Sequence, residues 1–585
     1  MKLLKVNNKY KMLDKINEHY TRFNDFIYKY LVFLYYKQGF KKIILCGGIG
    51  LLSSLALPPL YLFIILPYTF ATVMRVTDFC QKKVDAYKVG FYFSYGFGFG
   101  GFYWASFSLF SDFGSYWWLF PIALFGIPAV FAAFNAILFP IYLYLGSYSS
   151  AIRKNIIFAF LWVAFEYLRG YVILMFPWNF IGYSVSCFDD LIQFASVFGV
   201  LGMSLFVVMW ALSFHLLMLT GDKDDFVKYM KYLIGNNIWL IMMVVFGVFR
   251  LHNEPVKFYE NTILRIVQGD SAVQQNQSKE SKLKTYIDLT NSLKSHKPQF
   301  IIWPEGAIDS LVYNDQDVRE RIIKDLDLKP WQFLLTGAMR YDYDKNDDLL
   351  VYNSMVMISP NGGIATYDKH RLVPFGEYIP FSKSLPFLSI SADIGNFTEG
   401  SGSKTAFLTN HVPPFIPLIC YEIAFSGEIV PTDYMFEPKW ILNITNDKWF
   451  WYSSEPFQHL QMAKVRAIEE GLSVVRVANS GKSAVIDPYG RKVVVSGIGE
   501  KYVKDVKLPL PAAQDTIFRS IGNAPLLIAI FSFLIFQFFM VVYESHDRKI
   551  NKTFYSFYEM YSRINKNISK KDRKSTNNAI KTKKK

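Results

Sequence analysis

Eight long apolar segments set the strongest limit on what this chain of 585 residues can fold into. The segments are residues 43–57, 61–74, 89–110, 116–145, 156–174, 191–219, 232–249 and 524–543. Most of them approach the roughly 20 residues that an α-helix needs to cross a bilayer. The composition agrees, because 52% of the residues are hydrophobic although the formal net charge is +15, an uncommon combination for a soluble enzyme. The pattern predicts a membrane α-helical bundle of about eight transmembrane helices.

The basic residues between these segments predict how the chain is oriented. They are concentrated before the first segment and in every second loop, at Lys41, Lys42, Lys82, Lys83, Lys88, Arg153, Lys154, Lys223, Lys228 and Lys231. The alternate loops, at 58–60, 111–115 and 176–190, contain no lysine or arginine. Since positively charged loops stay in the cytoplasm, we expect both termini there and the large polar stretch on the outer side. Because the basic residues follow the topology, no nucleic-acid partner is expected.

The chain is therefore expected to have five parts. These are a cytoplasmic N-terminal extension at 1–40, transmembrane helices 1–7 at 41–255, an outer domain at 256–509, a final transmembrane helix at 510–545 and a basic cytoplasmic tail at 546–585.

Short β-branched runs alternate with helical patterns in the outer domain. Strands are predicted at 263–267, 300–303, 333–335, 351–358, 415–420, 440–445, 474–478 and 484–486, and helices at 279–293, 318–326 and 456–470. This alternation is typical of an α/β layered domain.

Three reactive side chains stand at the ends of short segments in the outer domain: Glu305, Lys369 and Cys420. A cysteine acts as a nucleophile only as thiolate, so it needs a base and a positive neighbour, which the carboxylate and the ammonium can supply. The triplet favours acyl transfer through a thioester. Each residue also has a structural interpretation, because Glu305 could cap a turn, Lys369 could be a solvated lysine and Cys420 a buried thiol.

The residues around this triplet resemble the nitrilase, or carbon-nitrogen hydrolase, superfamily. The resemblance rests on Trp303-Pro304-Glu305, on Lys369 with Leu372-Val373-Pro374-Phe375-Gly376-Glu377-Tyr378-Ile379-Pro380, and on Ile419-Cys420-Tyr421-Glu422. Fused to eight spans, these segments resemble the apolipoprotein N-acyltransferase family. The strings Phe176-Pro177-Trp178, Tyr352-Asn353-Ser354, Asn446-Asp447-Lys448-Trp449-Phe450 and Gln458-His459-Leu460-Gln461 fit the same family. The resemblance implies a nitrilase-like αββα sandwich for the outer domain.

The resemblance also implies a reaction at the periplasmic side of the bacterial inner membrane. Cys420 is expected to take an acyl chain from a phospholipid donor as a thioester and to pass it to the N-terminal amine of a diacylglyceryl-cysteine apolipoprotein acceptor. Glu305 is expected to be the general base, and Lys369 to stabilise the oxyanion. Supporting roles are implied for Glu377, Tyr421, Glu422, Asn353 and Trp449. No cofactor and no metal are expected, and a monomer would suffice.

Arg169 is a candidate lipid contact for an independent reason. An arginine near the end of an apolar span is costly unless it reaches the interface or is paired. Glu166, three residues earlier, is a possible partner. The alternatives are a structural Glu166–Arg169 pair and a contact to a lipid phosphate. The family resemblance adds Trp178 as a second lipid-binding candidate.

Further hypotheses concern lipid entry and the reaction class. The aromatic residues Phe375, Trp449, Phe450 and Trp451 predict mobile loops that gate lipid entry from the outer leaflet. One alternative function is a membrane-bound amidase or hydrolase in which water resolves the thioester. Another is a transporter or receptor whose outer domain keeps a nitrilase shape for binding.

Overall fold

The computed structural model describes most of the chain. The described residues are 22, 25, 29, 40–110, 117–217, 223–269, 278–294, 298–308, 312–374, 376–378, 397–402, 412–431, 434, 436–450 and 452–547. The predicted extension at 1–40 and the predicted tail at 546–585 lie almost entirely outside these residues.

The N-terminal part is a unit of α-helices. They are α1 (Phe40–Ser54), α2 (Leu66–Asp78), α3 (Lys83–Phe102), α4 (Phe120–Asn135), α5 (Leu138–Leu145), α6 (Ala151–Tyr167), the short α7 (Asp189–Ile192), α8 (Ala195–Leu217) and α9 (Lys223–Asn253). A π-helical turn, Leu168–Ile173, follows α6, and a 3₁₀ segment, Tyr103–Phe110, follows α3. Two of these helices approach closely because they meet at glycines: a Cβ atom on Gly96 of α3 would lie 1.8 Å from the carbonyl oxygen of Gly47 of α1.

Five helical segments of the described chain are long and apolar enough to cross a membrane. They are Phe120–Leu145, Ala151–Ile173, Ala195–Leu216, Val227–Asn253 and Ala524–Asp547, the last of which we call α14. The helices α1 and α2 have 15 and 13 residues, fewer than the roughly 20 that span a bilayer. α3 has 20 residues but begins with Lys83, Asp85 and Lys88, which shortens its apolar part. The prediction of a helical membrane unit is confirmed, whereas the number of eight spans is not.

The part of the chain between the helices α9 and α14 contains two mixed sheets that face each other. The strands are β1 (Phe258–Gln268), β2 (Phe300–Ile302), β3 (Phe333–Tyr343), β4 (Leu349–Ile358), β5 (Ile364–Asp368), β6 (Phe415–Ile419), β7 (Trp440–Thr445), β8 (Ser473–Ala478), β9 (Ala484–Ile486), β10 (Lys492–Val495) and β11 (Tyr502–Pro509). One sheet has the order β11-β1-β2-β3-β4-β5 and the other β10-β9-β8-β7-β6. The strands β1-β2-β3 and β6-β7-β8 are parallel, and the remaining pairs are antiparallel.

Helices cover the outer faces of both sheets and complete four layers. Side chains of the two inner faces form one core, in which the rings of Phe300 on β2 and Phe415 on β6 lie 5.8 Å apart. The helices α10 (Lys279–Ser292) and α11 (Gln316–Asp325) cover the six-stranded sheet. The helix α12 (Glu455–Glu470) covers the five-stranded sheet. This αββα arrangement confirms the predicted nitrilase-like sandwich.

Helix α12 also lies against the membrane unit, because it is apolar on two faces. Leu460 and Ala463 pack on the five-stranded sheet. Met462, Val465 and Ile468 belong to the core of the membrane helices. The helix therefore joins the two units, and the short α13 (Ile517–Ile521) then leads to α14.

Candidate active site

The three predicted reactive residues all follow strand ends; the sequence pattern predicted the strands before Glu305 and Cys420 but not the one before Lys369. Glu305 lies three residues after β2, Lys369 directly after β5 and Cys420 directly after β6. Strand ends carry the reactive groups of many layered α/β proteins because the following loop is free to present side chains. Glu305 and Lys369 are buried and Cys420 is half-buried.

A close backbone contact fixes the loop that carries Glu305. The backbone N–H of Gly337, on β3, donates to the carbonyl oxygen of Pro304 at 3.1 Å. A Cβ atom at position 337 would lie 2.5 Å from the Cα atom of Glu305. Only glycine permits this approach, so β3 directly supports the backbone beneath Glu305.

The ammonium of Lys369 lies between two carboxylates. Its Nζ is 2.7 Å from Glu377 Oε1 and 3.7 Å from Glu305 Oε1. The amide of Asn353, on β4, donates to the same two carboxylate oxygens, at 3.0 and 2.7 Å. The other oxygen of Glu377 accepts the backbone N–H of Val373 at 2.8 Å. The site thus holds one ammonium and two carboxylates, and of these carboxylates Glu377 is hydrogen-bonded through both oxygens.

These charges and their burial set the protonation states. Burial raises the pKa of Glu305; Lys369 opposes this rise and Glu377 adds to it. Burial alone would lower the pKa of Lys369, but the charges of Glu377 and Glu305 outweigh it and raise that pKa. Burial, followed by the charge of Glu305, raises the pKa of the Cys420 thiol despite the opposing charge of Lys369. The resting cysteine therefore keeps its proton, and Glu305 is the adjacent group able to accept it.

The backbone of Cys420 has an uncommon conformation, with φ of 52°. The residue ends β6 and begins a 3₁₀ helix, Cys420–Ala424. Positive φ at a residue other than glycine stores strain and is concentrated at functional sites. The sharp change of direction turns the side chain out of the strand path at the edge of the core between the two sheets.

Glu422 ties the cysteine segment to the lysine segment. Its Oε2 accepts the backbone N–H of Ile419 at 2.8 Å. Its Oε1 accepts the hydroxyl of Tyr367 at 2.8 Å and the backbone N–H of His370 at 2.9 Å. The predicted supporting residue Glu422 therefore lies beneath the site and holds the ends of β5 and β6 together.

A buried polar network behind Cys420 was not among the predicted site residues. The carbonyl oxygen of Cys420 accepts hydrogen bonds from His459 Nε2 at 3.1 Å and from Asn443 Nδ2 at 3.3 Å. Arg476 connects both donors, through Asn443 Oδ1 at 2.7 Å and His459 Nδ1 at 3.1 Å. The strings at 446–450 and 458–461, which fit the family, contain part of this network. The sequence alone does not show that Arg476, on β8, contacts residues of these strings.

Asp447, Glu455 and His459 in this network have the composition of a metal site. Their candidate ligand atoms lie within 4.8 Å of one another. Arg476 already occupies the position of a cation, because its Nη2 donates to both oxygens of Asp447 at 2.8 and 2.7 Å. The Arg476 charge outweighs burial and holds the pKa of Asp447 below its usual range, whereas burial and then Asp447 raise the pKa of Glu455 to about 7. The cluster is charge-compensated by its own side chains.

The membrane unit contacts Tyr421, the residue next to Cys420. The hydroxyl of Tyr421 donates to the carbonyl oxygen of Met175 at 2.5 Å. Its ring is stacked with the ring of Trp178 at 6.3 Å. Trp178 is 3% exposed, and its indole N–H donates to Gln458 Oε1 at 2.8 Å. Tyr421 and Trp178 therefore hold the two units together beside Cys420.

Arg169 is enclosed in the membrane unit, with 1% of its surface exposed. Its Nη1 donates to the carbonyl oxygens of Phe176 and Trp178 at 3.0 and 2.8 Å. Glu166 instead accepts the indole N–H of Trp162 at 3.0 Å. This geometry gives Arg169 a structural role in shaping the loop that reaches Tyr421. Lipid binding by Arg169 and Trp178 stays a prediction.

The aromatic residues predicted to gate lipid entry are only partly within the described chain. Trp449 is 44% exposed. The ring of Phe450 lies 4.9 Å from that of Trp104 in the membrane unit. Phe375 and Trp451 lie outside the described residues. An exposed aromatic side chain therefore stands next to a segment anchored on the membrane unit.

The fold and the site define a class of protein: a nitrilase-like sandwich with a thiol, a carboxylate and an ammonium at strand ends, carried on membrane helices. Comparisons of the sequence with known protein families agree with this class. The family described as apolipoprotein N-acyltransferase N-terminal domain matches residues 49–213, and carbon-nitrogen hydrolase matches residues 264–518.

Curated relatives match nearly their whole length. Apolipoprotein N-acyltransferase of Rickettsia typhi is 31% identical over 86% of this chain and 99% of its own. That of Rhodopseudomonas palustris is 34% identical over 83% of this chain and 93% of its own. Among solved structures, a nitrilase-superfamily amidase from Nesterenkonia AN1 aligns over 46% of this chain and 96% of its own, with 16% identity and a TM-score of 0.32. The chain belongs to the apolipoprotein N-acyltransferase family, which confirms the resemblance predicted from its motifs.

Proposed function

We propose that this protein transfers a fatty acyl chain from a membrane phospholipid to the N-terminal amine of a diacylglyceryl-cysteine lipoprotein, with Cys420 as the nucleophile. The names of the relatives support lipoprotein N-acylation. The observation that carries the mechanism is the adjacency of the three groups: Lys369 Nζ lies 3.7 Å from Glu305 Oε1, and the charges of both groups act on the pKa of the Cys420 thiol. A protonated thiol beside a buried carboxylate is suited to deprotonation during the attack itself.

The first half-reaction forms the thioester. Glu305 takes the thiol proton while Cys420 Sγ attacks the ester carbonyl carbon. The resulting oxyanion is stabilised by the Lys369 ammonium and by a backbone N–H of the helix that begins at Cys420. Collapse of the tetrahedral intermediate breaks the C–O bond, and Glu305 returns its proton to the departing lysophospholipid oxygen.

In the second half-reaction Glu305 acts as the base again, and the sulfur becomes the leaving group. The lipoprotein amine attacks the thioester carbon, and Glu305 accepts the amine proton. Collapse breaks the C–S bond and releases the amide product. The cysteine sulfur recovers the proton from Glu305, so the site is ready for another donor.

The position of the site suits lipid substrates. A water-soluble enzyme would have to move the acyl chain of its substrate out of the bilayer into water, which costs about 0.8 kcal/mol of free energy per CH₂ group. Tyr421, adjacent to the nucleophile, is bonded to Met175 of the membrane unit, so the site lies beside the helices that occupy the bilayer. We assign the domain at 256–509 to the periplasmic side of the inner membrane. In the predicted topology it lies on the same side of the membrane as the loops without basic residues, and such loops are typical of the side away from the cytoplasm.

Mass spectrometry of the intact protein tests the thioester. After incubation with phospholipid vesicles, the protein should gain the mass of one acyl group, and Cys420→Ala should gain none. Adding a diacylglyceryl lipopeptide should remove the acyl group and yield N-acylated peptide. Free fatty acid as the main product would instead support a membrane-bound hydrolase. Unchanged mass in the native chain would contradict the proposed mechanism.

A labelling experiment tests the orientation. Cys187 is an exposed free thiol, and the neighbouring carbonyl of Ser186 accepts Lys464 Nζ of helix α12 at 2.7 Å. A membrane-impermeant maleimide applied to intact spheroplasts should therefore label Cys187, with Cys187→Ser as the control. Labelling that requires disruption of the membrane would place the sandwich in the cytoplasm.

A further inference from the structure

The peptide group that follows Cys420 is held from one side by two side chains. Its carbonyl oxygen accepts His459 Nε2 at 3.1 Å and Asn443 Nδ2 at 3.3 Å. Both side chains are buried, His459 with 1% of its surface exposed and Asn443 with none. A carbonyl oxygen can only accept, so His459 must carry a proton on Nε2.

The two donors are themselves fixed. Arg476 Nη1 donates to Asn443 Oδ1 at 2.7 Å, which leaves the Asn443 amide nitrogen directed at the cysteine carbonyl. Around the other nitrogen of His459 lie Arg476 Nη2 at 3.1 Å, Glu455 Oε1 at 3.1 Å and Asp447 Oδ1 at 3.3 Å. The imidazole ring therefore has charged or polar neighbours on both nitrogens and cannot rotate without losing them.

The carbonyl and the next N–H belong to one rigid unit. In a trans peptide the carbonyl of Cys420 and the N–H of Tyr421 point in opposite directions within one plane. Tyr421 lies in the first turn of a 3₁₀ helix, where N–H groups have no partner within the helix. Fixing the carbonyl on one side therefore aims the Tyr421 N–H on the other side, next to the sulfur-bearing residue.

The neighbour of His459 in the chain is anchored in the membrane unit. Gln458 Oε1 accepts the indole N–H groups of Trp104 at 3.1 Å and of Trp178 at 2.8 Å. The ring of Trp178 also lies 5.2 Å from the ring of His459. His459 is thus held between the five-stranded sheet and the membrane helices.

We propose that His459 is a positioning residue for acyl transfer: with Asn443, it holds the Cys420 carbonyl so that the Tyr421 N–H is the backbone donor to the oxyanion. This inference rests on the proposed thioester function. His459 touches neither substrate nor sulfur in this arrangement, and it acts only through the orientation of the peptide plane. The residue is therefore needed for the tetrahedral intermediate but not for the reactivity of the thiol.

Two reactions of the Cys420 sulfur separate a role in oxyanion stabilisation from a role in the reactivity of the thiol. Acylation by a phospholipid passes through an oxyanion, whereas alkylation by iodoacetamide does not. We would measure both by intact mass in a Cys187→Ser background, comparing the native site with His459→Leu and His459→Gln. Removal of one oxyanion donor typically slows a reaction roughly 100- to 1,000-fold, and misorientation of the donor should cost about 10- to 100-fold.

The expected result is a selective loss in His459→Leu. Acylation should slow while alkylation of Cys420 and the concentration of phospholipid at half-saturation stay unchanged. His459→Gln, whose amide can donate to the same carbonyl, should recover most of the acylation rate. If His459→Leu fails to fold, the milder Asn443→Ser should show the same selective loss. Gln461→Leu, a buried polar change on the same helix that does not contact Cys420, is the matched control.

Other outcomes would overturn the inference. Acylation at the native rate in His459→Leu would show that the carbonyl contact has no role. A parallel loss of alkylation would show that His459 affects the thiol or the general fold instead. If the native protein is alkylated but never acylated, the proposed function itself fails, and this result is distinct from the other two.

Discussion

Replacing Lys369 by methionine should show how much the ammonium contributes to the acylation rate and how much to the stability of the fold. The side chain is 1% exposed and lies 2.7 Å from Glu377 and 3.7 Å from Glu305. Lys369→Met leaves two buried carboxylates without their cation. Breaking a buried ion pair by removing one partner typically costs about 3–5 kcal/mol. We therefore expect a clearly lower unfolding temperature, together with an acylation rate reduced roughly 100- to 1,000-fold by loss of the oxyanion donor.

A second substitution should restore stability without restoring activity. In Lys369→Met/Glu377→Gln the remaining buried charge is Glu305 alone, and the amide oxygen of the new glutamine can still accept from Asn353. The bond from Val373 N–H to Glu377 Oε2 is lost, because the amide nitrogen of glutamine then takes the position of Oε2 and cannot accept, at a cost of about 1–3 kcal/mol. Most of the lost stability should return. The acylation rate should stay low, because no cation remains beside Cys420.

Thermal unfolding in detergent and intact mass after exposure to phospholipid measure the two effects. Arg265→Met is a matched control, since this buried arginine pairs with Asp505, whose side chain is 5% exposed, between β1 and β11, two strands that carry none of the three reactive residues. The control should lose a similar amount of stability, because it also leaves a buried carboxylate without its cation, and it should keep its acylation rate. Native stability in Lys369→Met, or native acylation in the double variant, would refute the reasoning.

Three further variants test other parts of the site. Glu305→Gln should abolish acylation yet become more stable relative to the native protein as the pH rises above the ordinary range of a glutamate: burial raises the pKa of the native carboxyl, so its stabilisation is complete below its ordinary value and is lost as the pH rises through the folded value. Parallel pH–stability curves would contradict this. Glu422→Ala should lower the unfolding temperature more than Glu422→Gln, because the buried donors of Tyr367 and His370 each lose a bond worth about 1 kcal/mol; equal unfolding temperatures would argue against the role given to Glu422. Trp449→Ala should lower the specificity constant for phospholipid vesicles roughly fivefold, about 1 kcal/mol of apolar contact, but leave a short soluble acyl ester unaffected; equal losses on both substrates would exclude a gating role.

Local sequence patterns predicted those parts of the fold that depend on neighbouring residues. The β-branched runs at 263–267 and 440–445 lie on β1 and β7, and the helical spacing at 279–293 matches α10. The polar residues that end such runs, Glu305 and Cys420, are located where the pattern placed them. Each of these strand and helix inferences used only the hydrophobic periodicity of a few neighbouring residues, which can be read directly from the sequence.

The patterns failed where a residue's environment comes from a distant segment. The strand β5 was not predicted, because Ile364–Asp368 has exposed and half-buried positions and gains its place from pairing with β4. The role of Arg169 could not be read from its position near the end of an apolar run, because its acceptors are the carbonyls of Phe176 and Trp178. Arg476 was missed because it lies in an apolar strand, and its partners come from β7 and α12.

The same limit explains why α12 looked like an ordinary helix of a layered domain. Its sequence contains Gln458, His459, Lys464 and Glu469, polar residues that normally mark the solvent side of a helix. In the structure all four are buried, because one face meets the sheet that carries Cys420 and another meets the membrane helices. Polar groups survive such burial only when paired, and those of Gln458 and Lys464 are paired across to the membrane unit. Cys420 is thus held by a helix whose own position depends on the membrane unit. For the proposed transfer between two bilayer substrates, this arrangement keeps the Cys420 sulfur at a fixed place relative to the lipid.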